Sequence, residues 1–147
     1  LKRLVLIVLA VVLFLAVSGL LARFLSTENV ERDAVLALIE AQAKGDANGM
    51  LAQLRGCSAN PSCVARVRAN VANPRLRRPG AVKILSLESP TAYSLTGATG
   101  RTRLAWTVIG TLPVVQCITV RRSGNPVTGI KVTLLSVSPP IPNEGGC

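Results

Sequence analysis

A chain of 147 residues with a net charge of +10, four cysteines and no histidine excludes several functional classes at once. Without histidine the commonest general base is missing, and so is half of a Cys2His2 metal site. One Trp, one Tyr and two Phe are too few stacking platforms for a single-strand nucleic-acid binder, despite the positive charge.

Leu4 to Ala22 contains no charged residue. At a helical rise of ~1.5 Å per residue it spans about 28 Å, close to the hydrocarbon thickness of a bilayer. Lys2 and Arg3 precede it; Arg23 and then the mixed segment Glu28, Glu31, Arg32, Asp33 follow. That asymmetry predicts a cytoplasmic N-terminus and an exported body, a single-pass protein of the cell membrane with its C-terminal domain extracellular or periplasmic. The competing reading is a cleaved signal peptide, with Leu4 to Leu15 as its apolar core and Ala16-Val17-Ser18 as the small-x-small site. The apolar run continues through Gly19, Leu20, Leu21, Ala22, Phe24 and Leu25, which a spanning helix needs and a signal peptide does not. The chain therefore divides into an anchor (or signal peptide) over 1–25, an exported domain over 26–138 and a tail over 139–147.

With Lys2, Arg3 and Arg23 set aside, the body keeps fourteen basic residues against seven acidic ones. An exported location makes Cys57, Cys63, Cys117 and Cys147 disulfide candidates, with three possible pairings. Cys57 and Cys63 are near neighbours around Pro61, which leaves Cys117 to take Cys147 and tie the tail down. In a strand, Cys117 alternates with Ile118, so it points to the outer face, where the Pro/Gly-rich tail can reach it. No C-x-x-C spacing supports zinc.

Val30, Ala34, Ala37, Leu38 and Ala41 fall on one helical face, with Ser26 and Thr27 offering capping hydroxyls before them. Gly45 ends this helix, and Asp46 caps a second with Met50, Leu51 and Leu54 inward. Pro61 or Ser62 starts a third, striped by Val64, Val67 and Val71, and Pro74 stops it. The period then changes to two. Strands are expected over Val82 to Leu87, around Tyr93 and Leu95, over Arg103 to Val108, Val114 to Arg122 and Ile130 to Val137, with turns at Gly97 to Gly100 and Ser123 to Pro126. The fold class is α+β: after the N-terminal transmembrane helix, three helices pack on a curved antiparallel sheet of four to five strands.

The Lys44-Gly45-Asp46 break followed by Met50-Leu51-Leu54, and the order of elements from Asn29 to Val137, resemble the NTF2-like (cystatin-like) superfamily. Within it the chain most resembles membrane-anchored actinobacterial proteins of unknown function. The resemblance implies a sheet wrapped into a cone, with Tyr93, Leu104, Trp106, Val108, Ile118 and Val132 facing the helices as core or as cavity lining. Enzymes of that superfamily use His, Asp and Tyr inside the cone. Here there is no His, and five of the seven acids (Glu28, Glu31, Asp33, Glu40, Asp46) read as caps and a solvated helix face. Glu88 stands alone at a strand end. There is no phosphate-binding glycine loop and no G-x-S-x-G. The expectation is a non-enzyme without cofactor or metal: a binding or assembly module of the cell envelope, or else a carrier or sensor of a small apolar ligand. Its expected contacts are the membrane and an envelope protein or anionic lipid, with no nucleic acid. Arg66, Arg68, Arg75, Arg77 and Arg78 cluster around the third helix and are the candidate contact to an anionic surface.

Overall fold

The computed structural model describes residues 2–89, 97–125 and 129–147. The strand expected around Tyr93 and Leu95, and Pro126 of the expected turn, lie outside the described residues.

Helix α1 runs without interruption from Lys2 to Lys44, 43 residues and about 64 Å at ~1.5 Å per residue. The expected start at Ser26-Thr27 does not occur. No Pro or Gly stands between Leu20 and Lys44, and Ser26 and Thr27 cap only a chain that enters a helix from outside. Apolar segment and domain helix are thus one rod. Its first half, Lys2–Ala22, is long and apolar enough to cross a membrane, and the domain buries none of it.

The rod ends where the sequence requires. Gly45, at φ +81°, donates its N–H to the Gln42 carbonyl (3.0 Å) while Asp46 N–H reaches Ala41 (2.9 Å), the paired bonds of a Schellman stop. The Asp46 carboxylate then accepts from Gly49 N–H (2.9 Å) and caps α2, Ala47–Gln53. A single 3-10 turn, Cys57–Ala59, leads to α3, Pro61–Ala72, whose cap is Asn60.

Among the described residues four strands follow: β1 Val82–Glu88, β2 Ala98–Val108, β3 Val114–Asn125 and β4 Gly129–Val137. They form one antiparallel sheet in sequence order. Ala98 to Gly100, expected to turn, belong to β2 and pair with Arg122 to Val120. Strict alternation along β1 also fails. Register slips between Ile84 and Ser86, so Leu85 bulges outward at 47 % exposure and Leu87 turns in against the core.

The helices cover one face of the sheet. Between the layers lies an apolar cluster that includes Val35, Leu38, Ile39, Met50, Leu76, Leu104, Trp106 and Ile118. The buried face of α1 is rotated from the predicted one. Leu38 is buried as expected, and Ala34 and Ala41 pack partly buried against the core, but Val30 is 47 % exposed and Glu31, Val35, Ile39 and Gln42 are buried beside Leu38. The alanine stripe lies about 100° round the helix from this face, one residue's rotation. The larger side chains won the interior because they bury more apolar area.

Contacts fix the direction of α1 against the sheet. Glu31 meets Arg122 and Gln42 meets Gln116, so α1 and β3 run side by side in opposite senses. The β3 end at Asn125, with the start of β2 and the end of β1, therefore lies toward the apolar segment. The β2–β3 connection lies at the far end.

Candidate functional site

Two buried polar clusters sit at core-facing positions. In the first, Glu31 of α1 and Arg122 of β3 form an ion pair with side chains 5 % and 4 % exposed. Arg122 Nε donates to Glu31 Oε2 at 2.9 Å, and Nη2 donates to the same carboxylate and to Ser89. Thr102, fully buried, donates to Glu31 Oε1 at 3.0 Å. The acid expected on a solvated face is thus inside. A carboxylate occupied by an arginine and a threonine is a clamp between helix and sheet rather than a proton acceptor for a substrate.

The second cluster joins helices, sheet and tail. Gln42 Nε2 donates to Gln116 Oε1 (2.9 Å), which also accepts from Trp106 Nε1 (2.9 Å). Gln116 Nε2 and Asn70 Nδ2 both donate to the Ser138 carbonyl, at 2.8 and 3.0 Å. Gln42, Gln116 and Asn70 are each at most 2 % exposed. Their amides satisfy one another and hold the chain where it leaves β4, which is what a buried polar network must do to avoid a desolvation cost.

The tail then crosses the outer face of the sheet. Ser138 N–H bonds to Cys117, and Ile141 N–H bonds to Val115, each at 2.8 Å. Arg103 Nε donates to Gly145 (3.1 Å) and Arg101 Nη1 to the Cys147 carbonyl (3.0 Å). Disulfides join Cys57 to Cys63 and Cys117 to Cys147. Together with the apolar helix they point to a secretory or membrane route.

Leu104, Trp106 and Ile118 are completely buried, Val108 nearly so, and Val132 packs half-buried against the same cluster. Tyr93 lies outside the described residues. The described positions expected to line a cavity therefore belong to the apolar cluster between helices and sheet. An open groove of ≈ 390 Å³ lies on the outside, beside Cys57–Cys63, and is lined by Arg55, Asn60, Ser62 and Arg66.

The five clustered arginines do different things. Arg66, Arg68, Arg75 and Arg77 are exposed, and Arg77 leans over Gly45. Arg78 is half-buried and committed. Its guanidinium lies 5.9 Å from the Trp106 ring centroid and donates to Thr111 Oγ1 (2.8 Å), while its N–H bonds to Ala43 (3.0 Å). Arg77 and Arg78 thus sit at the level of the end of α1. Among the described residues no group of three His, Cys, Asp or Glu side chains could hold a metal ion.

No family model, curated protein or solved structure matches this chain.

The sequence reading missed Glu31, Gln42, Asn70, Thr102, Gln116 and Arg122. A signal existed for most of them. Glu31, Val35, Leu38 and Gln42 fall at i, i+4, i+7 and i+11. Gln116 and Arg122 share the period of Ile118 and Val120, and Thr102 that of Leu104 and Trp106. Polar residues at both ends of an apolar stripe are its buried continuation.

Proposed function

We propose that the chain is an uncleaved single-pass membrane protein, N-terminus cytoplasmic, whose exported domain is a non-catalytic binding or assembly module of the cell envelope. The carrying observation is the continuity of α1. One helix supplies both the apolar segment and, from Glu31 to Ala43, a wall of the domain core. A cleaved signal peptide has no use for such a rigid junction, whereas a module held at a fixed height and orientation does. The helix-then-sheet order also supports assigning the domain to the NTF2-like superfamily, and the proposal includes that assignment. Fold alone leaves function open, so the module reading rests on the site. A carrier would need room behind Trp106, and Trp106 is fully buried and bonded to Gln116.

Titrating the detergent-solubilised full chain with membrane lipid extracts, while following Trp106 emission, tests the choice. The module reading predicts an unchanged spectrum. A saturable shift or quench would make the domain a ligand carrier.

A further inference from the structure

We infer that Arg101, Arg121 and Lys131 form a membrane-facing basic surface that takes anionic phospholipid headgroups. The inference rests on the anchor reading, and the direction of the sheet along α1 supplies the rest. Arg101 adjoins Thr102 and Arg121 adjoins Arg122, and both neighbours reach Glu31. Lys131 adjoins Val132, the strand partner of Arg122. All three cations are exposed on the outer face of the sheet.

Glu31 is nine residues beyond Ala22, about 14 Å along the helix at ~1.5 Å per residue. The headgroup layer occupies roughly 5–8 Å of that, and the remaining gap is within about one Debye length of ~8 Å. Arg77 and Arg78, level with Ala43 to Gly45, stand about 32 Å beyond Ala22 by the same rise. At that height an anionic surface is largely screened, so Arg77 and Arg78, prominent in the sequence, stand too far from the bilayer to take lipid.

The same face carries acids too: Glu144 of the tail is exposed there, between the two residues whose carbonyls bind Arg103. Glu88, on the same face, is paired with Arg103 at 3.3 Å. Arg101 spends one N–H on the Cys147 carbonyl, which leaves further donors on a group that carries five. Exposed Thr99 stands beside Arg121 in the sheet register and adds a hydroxyl to the same surface.

Native lysines provide the test. The full chain is reconstituted into vesicles of phosphatidylcholine alone or with roughly one-third phosphatidylglycerol and pulsed with an impermeant amine-acylating reagent. Modification of Lys131, Lys44 and Lys83 is then read by peptide mass spectrometry. Lys44 and Lys83 are exposed at the far end and act as internal references. Lys131 labelling relative to both should fall about threefold or more in the anionic vesicles and recover near 1 M salt. The double substitution Arg101→Gln and Arg121→Gln should abolish the protection. Equal Lys131 labelling in both lipids, or protection of Lys44 in its place, overturns the inference while leaving the anchor intact. Release of the chain by alkaline carbonate overturns the anchor reading itself, and this surface with it.

Discussion

Replacing Glu31 with Gln removes one charge from the interior and little volume. Arg122 stays, 4 % exposed at its side chain, and loses the Glu31 carboxylate. Removing one partner of a buried pair costs about 3–5 kcal/mol, because the remaining ion loses a charge that offset its desolvation. The Gln oxygen can still accept from Thr102, so the lower end, about 3 kcal/mol, is expected. Against a total stability of roughly 5–15 kcal/mol that is a large fraction. In urea, with m of about 1–3 kcal/mol per molar, the midpoint should fall by about 1–3 M. Trp106, the single tryptophan and fully buried, reports the transition in the detergent-solubilised full chain with disulfides intact. Asp33→Asn, exposed on the same helix, is the control and should stay within about 0.5 kcal/mol. A Glu31→Gln midpoint indistinguishable from the control would refute a buried clamp between α1 and the sheet.

Gln116→Leu should destabilise by about 3 kcal/mol in the same assay, since Trp106 Nε1–H and the Gln42 amide lose a partner inside the core. It should also speed amide exchange at Ser138 and Ile141, where the tail is held; unchanged exchange would mean that the network does not secure the tail. Replacing Cys117 and Cys147 together with Ala should cost about 3–4 kcal/mol, and replacing Cys57 and Cys63 about 2, from loop lengths of 30 and 6 residues. The reverse order of the two losses would contradict the chain-entropy account.

Much of the sheet is legible because period two survives in β2 and β3. Leu104, Trp106 and Val108 alternate cleanly, and the parity of Cys117 against Ile118 is enough to send it to the outer face where Cys147 lies. The bulge at Leu85 leaves no mark in the sequence, since either parity of β1 offers apolar residues. In α1 apolar residues surround most of the helix, so periodicity alone could not choose between the alanine stripe and the Val35–Leu38–Ile39 face. Glu31 and Arg122 are 91 residues apart. Each alone reads as a surface charge, and only the antiparallel packing of helix on strand makes them partners. Ser26 and Thr27 illustrate the opposite error, where a strong local cap signal is overridden because the chain is already helical when it reaches them.

The central claim is that the apolar half of α1 stays attached to the half that builds the domain core. Intact-mass analysis of the protein extracted from its own membranes tests this most directly. The account predicts a chain that retains the whole of Lys2–Ala22 ahead of the domain; a mature chain beginning at Gly19 would contradict it.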